Sequence, residues 1–238
     1  MSSNNDKIYK ISKEYFISAN ECLKNGDLDA AITNLDESIR LKPDRANAYC
    51  NRGYVWRKKG EYDKAIADYN ESLRLKPDCA KGWFQRGNTW SDKGEYDKAV
   101  ADYDEAIRLK PDHDGAWNNR AIIWGIMKRY GKSLINLNEA IRINPNLSAA
   151  WNNRGNVRKI LKQYDKAIAD YDEAISINPK DTSAWCNRGN TWKAKGEYDK
   201  AIADFDEALR LDPGNQHAIR NRNDAISILP SHQKFLAI

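Results

Sequence analysis

Proline recurs at a fixed interval along this sequence. Six of its seven prolines lie 34 residues apart, and a constant period of this length indicates a chain built from structural repeats stacked on one another. These prolines are Pro43, Pro77, Pro111, Pro145, Pro179 and Pro213. If the first repeat begins at Ser12, six repeats follow without insertion, at 12–45, 46–79, 80–113, 114–147, 148–181 and 182–215. We therefore expect one repeat array rather than several separate domains.

Each repeat contains two apolar stripes with helical spacing. In the third repeat, Trp83, Gly87 and Trp90 are four and then three residues apart, which places them on one face of a helix. In the second repeat, Ala65 and Tyr69 begin another stripe of the same kind. A repeat is therefore predicted to contain two helices, each with one buried face.

Turn residues separate the two stripes. The motif Lys-Gly-Glu-Tyr-Asp occurs at 59–63, 93–97 and 195–199, where glycine can end the first helix with a positive φ angle. The recurring proline then ends the second helix. Each repeat is therefore predicted to be a short helical hairpin.

The order of residues in these repeats resembles the tetratricopeptide repeat family. In that family an aromatic and a small residue open the first helix, Tyr follows the turn, and Ala, an aromatic and Ala precede Pro. The fifth repeat matches this order at Trp151, Gly155, Tyr164, Ala167, Tyr171, Ala174 and Pro179. Departures occur at Ala121, Lys128, Ser133 and Leu137 in the fourth repeat and at Arg158 in the fifth. The resemblance covers 12–215 and implies an all-α fold, a right-handed α-solenoid of six helical hairpins.

The segments outside the repeats are short. The segment 216–229 resembles a seventh first helix, and the last hairpin needs a cover for its apolar stripe. We therefore predict a capping helix at 216–229. Pro230 ends this helix, and 230–238 is expected to be a tail. Residues 1–11 are expected to form a flexible N-terminus.

Cysteine and histidine are too scattered for the common catalytic or metal sites. The four cysteines show no C-x-x-C spacing, and none of the three histidines neighbours a Ser or Cys in a nucleophile motif. We therefore expect no enzyme activity, no cofactor, no metal and no small-molecule substrate. Scattered cysteines favour a reducing compartment, and no apolar run approaches the length of a membrane span. A cytoplasmic protein without a membrane partner is expected.

An arginine lies on the buried side of each first helix from the second repeat to the sixth. A guanidinium there needs a carboxylate or carbonyl partner to offset its desolvation, and aspartates occupy the facing side of most second helices. We predict the pairs Arg52–Asp68, Arg86–Asp102, Arg154–Asp170 and Arg188–Asp204, within a repeat or with its neighbour. In the first repeat, Ser18 and Asn34 replace both partners together.

Rows of amide side chains lie on the opposite face of the first helices. Asparagine is a mediocre helix former, so its repetition on an exposed helix face favours a binding role. In the family, first helices line the concave side and similar asparagines hold the backbone of an extended peptide, and a carboxamide can both donate to and accept from a peptide. The predicted peptide-binding residues are Asn20, Asn51, Lys81, Gln85, Asn88, Asn119, Asn152, Asn153, Asn156, Asn187, Asn190 and Asn221.

These rows predict a protein-interaction scaffold that binds an extended segment of another protein in a groove. Charge along the rows changes. Lys13, Arg57, Lys58 and Lys81 lie on or beside the face in the first three repeats, whereas Gly115, Ile126, Ala149, Ile160 and Ser183 occupy comparable places later. A ligand with an acidic end and a more apolar remainder fits this contrast.

Two other functions compete with this interpretation. Family members that bind the acidic C-terminal tail of chaperones use a clamp that Asn20, Asn51 and Lys81 match, whereas Phe16 and Gln85 replace its other lysine and its arginine. RNA binding needs aromatic side chains on the same face, and only Phe16, Phe84 and Tyr54 qualify. The net charge of +5 is spread out, so we do not expect a nucleic-acid partner. Near-identical end faces also allow self-association.

Overall fold

The computed structural model describes residues 2–228, and over this range the chain is helical with short turns. The helices in chain order are α1 (Ser2–Lys24), α2 (Leu28–Leu41), α3 (Ala46–Lys58), α4 (Tyr62–Leu75), α5 (Ala80–Asp92), α6 (Tyr96–Leu109), α7 (Asp114–Ile126), α8 (Tyr130–Ile143), α9 (Ser148–Ile160), α10 (Tyr164–Ile177), α11 (Thr182–Ala194), α12 (Tyr198–Leu211) and α13 (Gln216–Ile228). The predicted fold class, an all-α solenoid of helical hairpins, is confirmed.

The described residues divide into two compact halves, 2–119 and 120–228, and the division falls inside α7. In the N-terminal half, α1 to α6 pack on one another in chain order, and in the C-terminal half α8 to α13 do the same. First helices of neighbouring repeats also touch, as α3 with α5 and α9 with α11. Within each half, neighbouring hairpins therefore cover one another's apolar stripes. Within the described range, no helix has the length and apolar character needed to cross a membrane.

The described residues at both ends of the chain are helical. Residues 2–11, predicted as part of a flexible N-terminus, are helical and form the first turns of α1. This extension is held where Ser12 and Ser38 exchange hydrogen bonds, each hydroxyl donating to the other residue's carbonyl at 2.8 Å. At the other end, α13 spans the predicted capping helix as far as Ile228, and the predicted tail, 230–238, lies outside the described residues.

Each hairpin brings a small residue of its first helix against a large residue of its second. A Cβ on Gly155 would lie 2.6 Å from Tyr171 Cε1, so only glycine fits this approach without a shift. The fourth repeat combines Ala121 with the smaller Leu137 instead, and both are buried. The residues at these two positions, in chain order, are Ala19 and Leu35, Gly53 and Tyr69, Gly87 and Tyr103, Ala121 and Leu137, Gly155 and Tyr171, and Gly189 and Phe205. The sizes of the two residues are therefore inversely related: alanine on the first helix occurs with leucine on the second, and glycine occurs with tyrosine or phenylalanine.

Buried ion pairs join neighbouring helices. The predicted pairs are confirmed at N–O distances of 2.7 Å for Arg52–Asp68, 2.8 Å for Arg86–Asp102, 2.7 Å for Arg154–Asp170 and 2.6 Å for Arg188–Asp204. Arg52 also donates to Asp36 of the preceding second helix at 2.6 Å. In the first repeat, Asn34 donates instead to the carbonyl of Ala30 within its own helix. These arginines therefore belong to the scaffold, because one guanidinium ties its first helix to two second helices.

The turn between the two helices of a hairpin contains one residue in the left-handed region. Gly60, Gly94 and Gly196 have φ between 79° and 82°, as the turn motif predicts, and Gly26, which lies outside that motif, has φ of 78°. At the same turn position, Lys128 and Lys162 have φ of 58° and 57°. A side chain is strained in this conformation, so the fourth and fifth repeats keep the turn at a cost in stability.

We expect the substitution Lys162→Gly to raise the free energy of unfolding by about 1 kcal/mol, because glycine adopts the left-handed conformation without a Cβ clash. Urea denaturation followed by circular dichroism measures this change. The matched control is Gly60→Lys at the same turn position, which should lower the free energy of unfolding by a similar amount. Equal stability of all three proteins would contradict the strain argument.

Candidate functional site

In the N-terminal half, the predicted amides bond to one another between consecutive first helices. Asn51 Nδ2 donates to Asn20 Oδ1 at 2.7 Å, and Asn119 Nδ2 donates to Asn88 Oδ1 at 2.8 Å. In both cases the donor lies 31 residues after the acceptor. Two rows of amides are therefore linked across consecutive repeats: a first row that includes Asn51 and Asn119, and a second row, three residues further along each first helix, that includes Asn20, Asn88 and Asn156.

A hollow of about 340 Å³ lies beside the first of these bonds. This N-terminal hollow is lined by Asn20, Leu23, Cys50, Asn51, Tyr54, Lys81 and Gln85. Four of the predicted site residues thus come together, and Lys81 supplies the charge of the lining. Burial raises the pKa of the Cys50 thiol to about 11, so this thiol is protonated at neutral pH and is a poor nucleophile. Among the described side chains, no group of His, Cys, Asp or Glu is arranged to hold a metal ion.

Buried tyrosines hold the second-row asparagines, an arrangement that the sequence analysis did not predict. Tyr103 donates its hydroxyl proton to Asn88 Oδ1 at 2.8 Å, and Tyr171 donates to Asn156 Oδ1 at 2.9 Å. Burial raises the pKa of both phenols, so they remain neutral donors. Asn88 is 8% exposed, and its oxygen already accepts two hydrogen bonds. It therefore acts mainly by orienting Asn119.

In the C-terminal half, asparagines of consecutive first helices also bond to each other, but the two partners are 35 residues apart instead of 31. Asn187 Nδ2 donates to Asn152 Oδ1 at 3.0 Å, and the Asn156 oxygen accepts from Tyr171. Asn221 Oδ1 accepts from Lys193 Nζ at 2.9 Å. Asn190 lines a shallow depression with Lys193. The structure therefore links Asn152 with Asn187, whereas Asn190 and Asn221 lie beside a lysine.

A second hollow, of about 290 Å³, lies on the first helices of the C-terminal half. This C-terminal hollow is lined by Ala121, Ile122, Gly125, Ile126, Ser133, Leu137, Asn153, Asn156, Val157 and Ile160. Ile122, Ile126 and Ile160 are 40%, 50% and 54% exposed. Two of these isoleucines, Ile126 and Ile160, were predicted from the sequence to lie on or beside this face, and Ile122 was not. Its signal was available, because the third and fifth repeats have Asn88 and Asn156 at that position.

The aromatic side chains near these faces are engaged within the chain. Four tryptophans that open first helices donate their indole N–H to a proline carbonyl, at 2.8 Å for Trp83–Pro77, 2.9 Å for Trp117–Pro111, 2.8 Å for Trp151–Pro145 and 3.0 Å for Trp185–Pro179. Phe84, a candidate for base stacking, packs on His113 with 4.5 Å between ring centroids. These rings therefore serve the scaffold.

The stacked hairpins define a helical repeat protein. Comparison of the sequence with models of protein families shows which repeat family it belongs to. The model described as tetratricopeptide repeat matches residues 46–79, 80–113, 148–181 and 182–215. A second model, described as TPR repeat, matches 19–56. Since the matches cover more than half of the sequence, the chain belongs to the tetratricopeptide repeat family. Repeats of this kind indicate a protein-interaction scaffold.

Several solved structures share this fold. That of pilF from Pseudomonas aeruginosa has a TM-score of 0.79 and 17% identity, covering 93% of this chain and 99% of its own. YrrB, described as a TPR protein with an unusual peptide-binding site, has a TM-score of 0.62 and 21% identity, covering 79% of this chain and 97% of its own. MamA has a TM-score of 0.62 and 26% identity, covering 71% and 92%. No curated protein sequence matches the chain.

Proposed function

We propose that the first-helix faces of this protein bind an extended segment of another protein, without catalysis and in the cytoplasm. The observation that carries the proposal is the bonding of amides across repeats, as in Asn51 with Asn20 and Asn187 with Asn152. Ordered amides of this kind suit a peptide backbone, which offers a donor and an acceptor at each residue. The peptide-binding site of YrrB, a protein of similar fold, is a further support.

The ordered amides retain hydrogen-bonding capacity for a ligand. A carboxamide has two donor protons and an oxygen with two lone pairs, and Asn51 uses one donor proton in its bond to Asn20. Since the neighbour already holds the amide in place, little side-chain freedom is lost when a peptide binds. Asn51 and Asn187 are half-buried, so their remaining groups are partly shielded from competing water.

Binding of an acidic C-terminal tail is a second candidate, favoured by the N-terminal hollow. This hollow brings together Asn20, Asn51 and Lys81, the three residues that match the chaperone-tail clamp. Gln85, where the clamp has arginine, also lines it. A bound peptide that requires both a free terminal carboxylate and Lys81 would favour this candidate.

We expect the combined substitutions Asn119→Ala, Asn153→Ala and Asn187→Ala to weaken peptide binding by about tenfold or more, because each removes a hydrogen bond to the ligand backbone. Random dodecapeptides displayed on phage and selected on the full chain provide the ligand, and fluorescence anisotropy measures its affinity. Far-UV circular dichroism should show unchanged helicity. The control substitutions Asn146→Ala and Asn223→Ala change exposed asparagines away from the amide rows and should leave affinity unchanged. Equal affinity of the triple variant and wild type would refute the role of the amide rows.

A further inference from the structure

The C-terminal hollow is apolar at positions that are polar in other repeats. Ile122 occupies the position of Asn88 and Asn156, and Ile126 occupies that of Lys58 and Asp92. The third repeat folds with the polar side chains of Asn88 and Asp92 at these two positions, so the scaffold does not require isoleucine there. Exposed isoleucines grouped around one hollow mark a surface that another apolar group covers.

The sequence around this hollow is strongly cationic. Residues 120–162 contain nine lysines and arginines and one acidic residue, Glu139. Within this segment two guanidinium groups share one carboxylate, since Arg154 and Arg158 both pair with Asp170, at 2.7 and 2.8 Å. The segment 120–162 therefore keeps a net positive charge even when Asp170 of α10 is counted with it, and such a charge attracts acidic groups.

Lys159 places part of this charge on the first-helix face. It holds the repeat position of Gly125, which lines the C-terminal hollow, and of Arg57 and Lys193. Those two cations bond to the following first helix, Arg57 to Asp92 and Lys193 to Asn221. Lys159 is half-buried and has no ion-pair partner among the described residues, and burial lowers its pKa. An acidic side chain of a ligand would compensate its desolvation.

We propose that the C-terminal hollow binds one large aliphatic side chain of an extended segment of another protein, with acidic residues flanking that side chain. This inference rests on the proposed function and specifies its ligand. The volume of about 290 Å³ accommodates one side chain the size of leucine. Asn153 and Asn156 at its edge are placed to hold the adjoining backbone. Burial of such a side chain corresponds to about a ten- to hundredfold gain in affinity.

Selection of the same random dodecapeptide library on the full chain tests this inference. Wild type should enrich peptides with a Leu, Ile, Val or Met flanked by Asp or Glu. The double variant Ile126→Asn/Ile160→Asn should lose the aliphatic preference and bind the selected peptide about ten- to hundredfold more weakly. The matched control Ile135→Asn changes an isoleucine that is 63% exposed outside the hollow and should match wild type. Lys159→Gln should reduce the acidic preference and the salt dependence of binding, whereas Lys166→Gln on α10 should not.

The outcomes separate the two proposals. If neither wild type nor a variant without 230–238 enriches a peptide, the proposed function fails and this inference fails with it. If wild type enriches peptides without an aliphatic residue among acidic ones, or if the double isoleucine variant keeps that preference, the inference is wrong and the proposed function stands. A concentration-dependent dimer that the double variant abolishes in sedimentation velocity would assign the hollow to a second copy of this chain. Peptide binding that appears only after removal of 230–238 would assign it to the chain's own segment, and either result overturns the inference.

Discussion

The substitution Asp170→Ala is expected to lower the free energy of unfolding by about 3–5 kcal/mol, the largest effect predicted for this protein. The Asp170 side chain is 2% exposed, and both Arg154 and Arg158 pair with it. Removing this carboxylate leaves two partly buried guanidinium groups without their shared counter-charge. Because Arg154 joins α9 to α10, the loss also weakens packing within the fifth repeat.

Urea denaturation of the full chain measures this effect against two control variants. Asp102→Ala removes the carboxylate of a buried pair with one arginine, Arg86, and should cost less than Asp170→Ala. Asp172→Ala removes a carboxylate that is 54% exposed and pairs with Arg188, and should cost less than about 1 kcal/mol. A loss at Asp170 no larger than that at Asp172 would contradict a structural role for the buried pairs.

The substitution Gly155→Ala is expected to lower the free energy of unfolding by about 1–3 kcal/mol, because the added methyl group overpacks the helix contact. A Cβ there meets Tyr171 at 2.6 Å, so the helices or the ring must move. This clash works against the gain of about 1 kcal/mol that alanine has over glycine in a helix. The control Gly131→Ala has nothing within 4 Å of its new Cβ and should be stabilising.

A double-mutant cycle with Tyr171→Leu tests whether the two positions are coupled. The double variant Gly155→Ala/Tyr171→Leu reproduces the Ala121 and Leu137 combination of the fourth repeat. We expect it to lose less stability than the sum of the single variants, by about 1 kcal/mol or more. Additive losses in urea denaturation would show that the size relation between these positions has no energetic basis.

The repeat period and helix geometry were sufficient to predict much of this structure. The constant spacing of the repeats predicted the helical hairpins, and the position of Arg52 around its helix predicted its pairing with Asp68. These features depend on contacts within one hairpin, where 3.6 residues per turn fixes which side chains face each other. The same reasoning placed Asn51 and Asn187 on the face away from the core.

Contacts between hairpins were harder to predict. The geometry of a single helix predicts on which side of the helix Asn187 lies. It does not predict whether Asn187 contacts Asn152 or Asn156, because that contact depends on how adjacent hairpins stack. The tyrosine hydroxyl does not decide it, because Tyr103 holds Asn88 as Tyr171 holds Asn156 and Asn119 still bonds to Asn88. The helical residues 2–11 were missed for another reason, since the segment before Ser12 lies outside the 34-residue pattern that guided the prediction.

The central claim, that the first-helix faces bind an extended segment of another protein, is tested most directly by the side-chain amide signals of the full chain. In nitrogen–proton correlation spectra recorded with and without a selected peptide, the claim predicts shifts of the side-chain NH₂ signals of Asn51, Asn153 or Asn187. Backbone signals from the outer faces of second helices such as α4 and α10 should stay in place. Shifts confined to the second helices, with the asparagine side-chain signals unchanged, would contradict the claim.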